Sequence, residues 1–195
     1  FNQSDKETLS GQAKKSEFVI NREAAEPATF LEVKTPIYDE EDDSQIVGLL
    51  GIATDITELK NNEYKLQRLA HYDPLTKLPN RVLLADRLQQ AMRQVRRLQG
   101  SLVVIYLDLD GFKQINDNYG HAVGDQLLIE LASRMQAVIR KGDTLSRIGG
   151  DEFVAILLNV ANLEDSVTLC ERLLAAAAKP VYIDQERLQV SASLG

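Results

Sequence analysis

The sequence predicts an α/β (α+β) domain, a sheet with helices packed on it, preceded by a smaller antiparallel β unit and a joining helix. Three observations predict this. From Leu102 onward, segments of strand and helix character alternate in the order β-α-β-β-α-β, which builds a sandwich with a mixed sheet and flanking helices. Before residue 56, the apolar stretches are short and extended, and read as two or three antiparallel strands. The charge also divides. The chain has 195 residues and a formal charge of −7, but residues 1–60 hold 6 Lys+Arg against 13 Asp+Glu, and the remainder holds 16 of each. The whole acidic excess lies in the first third, so two units with different surfaces are expected.

Composition bounds the rest. A chain that is 44% hydrophobic and 26% charged buries enough apolar surface to fold, which excludes a fully disordered chain. No apolar run approaches the roughly 18 residues of a membrane helix, and the polar first twenty residues show no signal peptide. The single cysteine, Cys170, cannot form an internal disulfide and suits a reducing cytoplasm.

In chain order, Phe18 to Ile20 is a short apolar run. Phe30, Val33, Thr35 and Ile37 mark an extended stretch in which Pro36 is expected to end regular pairing. Asp39 to Ser44, five acids and a serine, reads as a solvated hairpin loop. A hard-cation loop would interleave its ligands with turn residues, and this one has no glycine. Ile46 to Thr54 closes the unit as a strand. Asp55-Ile56-Thr57-Glu58 starts a helix, with Asp55 or Thr57 as cap, that runs to about Tyr72. Ile56, Leu59, Leu66 and Leu69 partly follow a heptad that Asn62 and Glu63 interrupt. Two readings stand for it, a helix that pairs with a second copy and a plain linker helix.

Asp73-Pro74-Leu75-Thr76 breaks that helix, and Pro79-Asn80 starts the next. There Leu84, Leu88, Ala91, Val95 and Leu98 recur at helical spacing until Gly100. Leu102 to Leu109 is a buried strand. Val123 to Arg140 is a helix with Leu127, Leu131, Met135 and Val138 on one face. Thr144 to Ile148 and Glu152 to Leu158 flank Gly149-Gly150 as a hairpin. Asn162 to Lys179 is a helix, and Val181 to Ile183 and Leu188 to Leu194 are strands.

The chemistry concentrates where strands end. Asp108-Leu109-Asp110 closes the first buried strand, and its pleat puts both carboxylates on one side. Either the strand simply ends in water, or the acids serve a cation, since buried carboxylates are costly unless paired or metal-bound. Gly149-Gly150-Asp151-Glu152 is the second acidic point. If this hairpin lies beside the first strand, Asp151 faces Asp108, and the two with a strand-end carbonyl make a site of the Mg²⁺ type. Between them, Gly111 and Phe112 can offer backbone N–H groups to phosphate and Lys113 a cation. Asn116 offers a donor and an acceptor and Asp125 accepts twice, which suits a guanine edge. A turn or cap role for Asn116, and a solvated helix acid for Asp125, are the plain alternatives.

Three stretches together resemble one family. Asp-Leu-Asp-Gly-Phe-Lys-Gln-Ile-Asn-Asp-Asn-Tyr-Gly-His-Ala-Val-Gly-Asp-Gln-Leu-Leu, from Asp108 to Leu128, resembles the first signature of the GGDEF diguanylate cyclases. Arg147-Ile-Gly-Gly-Asp-Glu-Phe153 is similar to the second, and Asp73-Pro-Leu-Thr-Lys-Leu-Pro-Asn-Arg81 to the opening motif. The resemblance covers about Asp73 to Gly195 and implies a nucleotidyl-cyclase or polymerase-palm-like fold. It implies condensation of two GTP into cyclic di-GMP with release of two pyrophosphates, on a homodimer whose half-sites each hold one GTP and two Mg²⁺ or Mn²⁺. Asp108, the carbonyl of Leu109 and Asp151 would bind metal. Asp151 would also be the base for the 3′-hydroxyl, with Glu152 the second acid of the motif. Lys113 and the Gly111-Phe112 backbone would bind phosphates, Lys113 acting also at the transition state. Asn116 and Asp125 would read guanine, and His121 would support the structure. Arg140-Lys141-Gly142-Asp143 matches the family's inhibitory site for its product, where a guanidinium grips guanine or phosphate.

Residues 1–56 resemble the closing strands of a PAS sensor domain, on Phe30-Leu-Glu-Val-Lys-Thr-Pro-Ile37 and Gly48-Leu-Leu-Gly-Ile-Ala-Thr-Asp-Ile-Thr57, with 57–72 as a signalling helix and 73–195 as the cyclase domain. The family's last helix and strand are expected beyond Gly195. Lys179 to Ser193 also looks like cyclase domains that an EAL phosphodiesterase domain follows. The expectation is therefore a cytoplasmic diguanylate cyclase under PAS control and product inhibition, in a parent that other segments can anchor to a membrane. Its partners are GTP and cyclic di-GMP, and no nucleic-acid polymer. The rival is a non-catalytic GTP- or cyclic-di-GMP-binding module of a GGDEF–EAL phosphodiesterase. A dimerising relay segment without ligand is the third reading.

Overall fold

The computed structural model describes residues 3–22, 25–42, 44–160 and 162–195. Two units divide the chain, the first ending at Gln67 and the second running from Arg68 to Gly195.

In the first unit, a short helix α1 (Gln3–Thr8) precedes strands β1 (Lys14–Arg22), β2 (Ala25–Tyr38) and β3 (Ile46–Asp55), in the spatial order β1-β2-β3. Both ladders are antiparallel, and Phe18 lies opposite Phe30 with ring centroids 5.7 Å apart. Pro36 does not end the pairing, as the sequence suggested; it stays in register opposite Leu49. The reason is positional. β1 pairs with β2 no further than Lys34, so at Pro36 the strand has a neighbour on one flank only, where a missing N–H is tolerated. The acidic stretch is the β2–β3 hairpin loop. Asp39 accepts from the Glu41 N–H at 2.9 Å, and Asp42 accepts from the Ser44 hydroxyl at 2.6 Å and its N–H at 2.9 Å. Asp43 lies outside the described residues.

Helix α2 (Thr57–His71) starts where Asp55 accepts from the Thr57 N–H at 2.9 Å, while the Thr57 hydroxyl accepts from the Thr29 N–H at 2.8 Å. No residue of α2 is buried, and Leu59, Leu66 and Leu69 are each about two-thirds exposed.

The second unit opens with α3 (Arg81–Leu98), capped by Asn80, whose side chain accepts from the N–H groups of Val82 and Leu83. Its last cap residue is Gln99 in the left-handed region (φ 50°), one residue before the expected glycine. β4 (Leu102–Asp110), α4 (Phe112–Tyr119), α5 (His121–Val138), β5 (Thr144–Gly149), β6 (Glu152–Leu158) and α6 (Leu163–Ala178) follow. A small hairpin of β7 (Val181–Ile183) and β8 (Glu186–Leu188), then β9 (Ser191–Leu194), complete it.

The sheet order is β5-β6-β4-β9 and every ladder is antiparallel, so the α/β class holds but the sheet is not mixed in its pairings. Each crossover skips one position. β4 and β5 run the same way with β6 between them, and β6 and β9 run the same way with β4 between them, the split β-α-β arrangement of ferredoxin-like folds. Gly111 to Asp117, between the expected strand and the expected helix, is mostly α4. Its eight residues are few, though Phe112, Ile115 and Tyr119 fall at helical spacing, and the helix is set off by Gly111 and Gly120, both with left-handed φ (80° and 85°). The single strand expected over Leu188 to Leu194 is divided at Gln189-Val190. The β7–β8 turn at Asp184-Gln185 takes positive φ at both residues (48° and 69°) without a glycine to announce it.

The core lies on one face of the sheet, where Leu107, Leu109, Phe153 and Leu157 meet Leu127, Leu131 and Met135 of α5 and Leu173 of α6. α3 packs on β5, β6 and β4, and Val154 and Ile156, which alternate with the core residues of β6, are buried as well. On β4 the alternation is complete: Ile105, Leu107 and Leu109 are buried, and Val104, Tyr106, Asp108 and Asp110 are exposed. The candidate site lies on that exposed side.

Candidate functional site at the end of β4

Register decides which acids meet. Asp108 lies directly opposite Glu152 of β6 and, on its other flank, opposite Ser193 of β9. Directly opposed residues carry their Cβ atoms about 4.5–5.5 Å apart on one face. The carboxylate across from Asp108 is therefore that of Glu152, not of Asp151 as the sequence suggested. Asp151 sits one residue earlier, in the turn between β5 and β6, where its carbonyl accepts from the Leu109 N–H at 3.3 Å. The hairpin does lie beside β4; the turn takes up Asp151 itself, so the first ladder pair falls one residue later. Gly150 takes φ 49°, and a Cβ there would meet nothing within 4 Å, so the tip stays open to an incoming group.

Two like charges opposed across a ladder repel unless a cation lies between them. Asp108 and Glu152, with Asp151 at the adjoining tip, offer the hard oxygen donors that Mg²⁺ prefers. Among the described residues no cluster of three or more His, Cys, Asp or Glu could hold a metal by itself. Asp110 is committed elsewhere. Its two oxygens accept from the hydroxyls of Ser191 (2.8 Å) and Ser193 (2.9 Å), which ties β9 to the end of β4.

Gly111 caps α4 without a side-chain hydrogen bond, Phe112 turns into the core, and Lys113 stands exposed on the first turn. Asn116 is half-buried against α5, where it touches Gly124, the residue before the exposed Asp125. The structure thus sets Asn116 against α5 at Gly124, one residue before Asp125. His121 is exposed as the first residue of α5.

Arg140 and Asp143 form a separate site beyond the end of α5. The Asp143 side chain is 2% exposed; it accepts from Arg140 Nε at 3.0 Å and from the Leu158 N–H at 3.1 Å. Arg140 also donates to the Leu158 carbonyl, and its side chain remains 62% exposed. Both residues line a cavity of about 360 Å³ with Arg172 of α6. Sequence reading missed Arg172, because a lone arginine on a helix carries no local signal and reaches this cavity only through the packing of α6 on α5.

A second missed contact is an ion pair. Arg147 Nη1 donates to Asp73 at 3.0 Å, and its Nε donates to the Gly150 carbonyl at 2.9 Å. Asp73 also accepts from the Thr76 hydroxyl (2.6 Å) and N–H (2.7 Å). Burial alone would raise the Asp73 pKa; the Thr76 and Arg147 hydrogen bonds outweigh it and hold the carboxyl below its ordinary value.

The second unit is thus an antiparallel split β-α-β sheet with acids at the end of β4 and a glycine turn beside them. The profile described as "Diguanylate cyclase, GGDEF domain" matches residues 70–195, and the chain belongs to this family. It is 47% identical over 139 residues to the bifunctional diguanylate cyclase/cyclic di-GMP phosphodiesterase MucR of Pseudomonas aeruginosa, covering 71% of this chain and 20% of that protein. It is 35% identical to the diguanylate cyclase TpbB of the same organism, covering 70% of this chain and 32% of TpbB. Among solved structures, SiaD of Pseudomonas aeruginosa in complex with its activator SiaC matches with a TM-score of 0.62 at 36% identity, covering 71% of this chain and 53% of SiaD. The coiled coil and GGDEF domain of DgcB from Caulobacter crescentus, in complex with c-di-GMP, matches with a TM-score of 0.65 at 26% identity, covering 72% and 75%. The chain spans between a fifth and a third of the length of these curated relatives.

Proposed function

We propose that the chain is the regulatory and catalytic part of a diguanylate cyclase that condenses two GTP into cyclic di-GMP and two pyrophosphates. The observation that carries this is the meeting of Asp108, Glu152 and the Asp151 turn at the open end of β4, next to α4. In each half-reaction, the 3′-oxygen of one GTP forms a bond to the α-phosphorus of the other, and the α–β bridging bond breaks to release pyrophosphate. The hydroxyl proton passes to Asp151. Lys113 and the Gly111-Phe112 backbone hold the phosphates, and Lys113 offsets charge that develops on them. Asn116 and Asp125 orient the guanine. Asp108, the Leu109 carbonyl and Asp151 would hold the divalent cation, Mg²⁺ or Mn²⁺ and two in each half-site, which supplies charge neutralisation at the phosphates.

The reaction joins two nucleotides and needs two such sites face to face, hence a homodimer. The exposed Leu59, Leu66 and Leu69 of α2 suit pairing with a second copy. The three antiparallel strands that lead into α2 suit the end of a PAS sensor. Arg140 and Asp143, with Arg172 on the same cavity, suit binding of the product as inhibitor. Among the described residues no helix is long and apolar enough to cross a membrane. A GTP substrate suits a cytoplasmic domain.

The test is GTP with Mg²⁺ on the full-length protein, with cyclic di-GMP quantified and Asp151→Ala as control. No product from folded, dimeric protein overturns the proposal, and unchanged product with Asp151→Ala overturns the metal-and-base assignment. A second reading is favoured by the bifunctional name of MucR: a domain that binds GTP or cyclic di-GMP and controls a downstream EAL phosphodiesterase. It predicts nucleotide binding and altered phosphodiesterase activity without turnover of GTP.

A further inference from the structure

Gly124 is buried within α5, with its N–H on the Gly120 carbonyl at 3.2 Å. Its φ is not in the left-handed region, so the backbone there accepts any residue. Glycine inside a helix is costly relative to alanine, and some gain elsewhere must offset that cost. Space is that gain. A Cβ at Gly124 would lie 2.0 Å from Asn116 Oδ1, 3.0 Å from Asn116 Cγ and 3.3 Å from Phe112 Cζ. The last contact matters because Phe112 is buried in the core, so α4 cannot back away without disturbing packing. An added methyl must therefore move the Asn116 side chain. That side chain is short, and rotating its amide away from Gly124 removes it from its place against α5, one residue before Asp125.

We infer that Gly124 is a positioning residue for base recognition: the missing Cβ is the space in which Asn116 presents its amide, alongside Asp125, to a purine edge. The inference rests on the reading of Asn116 and Asp125 as the guanine contacts. It makes Gly124 a determinant of the preference for a base with a 2-amino group over one without it. A residue needed only for folding would leave that preference intact.

The experiment measures equilibrium binding of GTP and of ITP, which lacks the 2-amino group, to the full-length protein. The variants are Gly124→Ala, Asn116→Ala and the two combined. Gly124→Ala is expected to weaken GTP binding about tenfold, the scale of one well-placed hydrogen bond, and to bring the GTP and ITP affinities closer together. In the Asn116→Ala background the same substitution is expected to cost nothing further, since the clashing amide is gone. The double variant removes the 2.0 Å overlap with the amide and keeps the 3.3 Å contact to Phe112 Cζ, so its melting curve reads the cost of that contact alone. Wild-type discrimination in Gly124→Ala, with discrimination lost in Asn116→Ala, overturns the positioning role and leaves the base reading intact. Wild-type discrimination in Asn116→Ala overturns the base reading and this inference with it. Additive losses in the double variant overturn the steric link.

Discussion

Arg147 and Asp73 stand 74 positions apart in the chain and meet at 3.0 Å, with side chains only 12% and 16% exposed. Arg147 holds the Gly150 carbonyl from the same guanidinium, and its N–H donates to the Pro79 carbonyl at 3.0 Å. The segment that follows α2 is thereby fastened to the turn that carries Asp151.

Breaking this contact is expected to destabilise the second unit by about 1–2 kcal/mol, since three hydrogen bonds end on a half-buried carboxylate. Asp73→Asn is the informative variant. The folded-state pKa of Asp73 is depressed, so its contribution is fully present above the unfolded-state value and is lost as pH falls through the lower folded one. Thermal melts of wild type and Asp73→Asn should differ most at neutral pH and converge below about pH 4. A constant difference at all pH values would remove the ion pair from the account.

Asp108 and Glu152 oppose each other as like charges. Without divalent cation, Glu152→Gln is expected to raise stability by about 0.2–1 kcal/mol through relief of that repulsion. Mg²⁺ should stabilise the wild type more than the variant. Melting curves with and without Mg²⁺ measure both effects, and equal Mg²⁺ stabilisation of the two proteins would count against a cation between the strands.

Mutation of Arg140 or Asp143 should act on both inhibition and stability. Arg140→Ala is expected to relieve inhibition by added cyclic di-GMP and also to lower stability, because it takes the counter-ion from the buried Asp143 carboxylate. Asp143→Ala removes a buried acceptor from the Leu158 N–H and should cost about 1–3 kcal/mol as well. Arg172→Ala is expected to weaken inhibition without touching the motif. Inhibition curves and melts on the three variants check this, and unchanged inhibition in Arg140→Ala would discard the product site.

Much of this was legible before any coordinates. The helix from Asn162 to Lys179 appears as α6 with those residues as its caps, because Asn162 accepts from the Asp165 N–H and capping is a local matter. The hairpin at Gly149-Gly150 and the pleat that turns Asp108 and Asp110 to one side are equally local. α4 escaped because it is only eight residues between two left-handed glycines, so the helical spacing of Phe112, Ile115 and Tyr119 covers barely two turns.

The sequence by itself determined most of the helices and strands from β4 onward, the uneven division of charge along the chain and the acids at two strand ends. Those features follow from residue type and spacing along one stretch of chain, within reach of backbone hydrogen bonds and side-chain period. Only the tertiary structure decided that Glu152 and not Asp151 opposes Asp108, that both oxygens of Asp110 are taken by Ser191 and Ser193, that Arg147 reaches Asp73 and that Asn116 rests on Gly124. Each of these depends on strand register or helix packing between distant segments. A shift of one residue there changes which side chains meet, while the pattern along the chain stays the same.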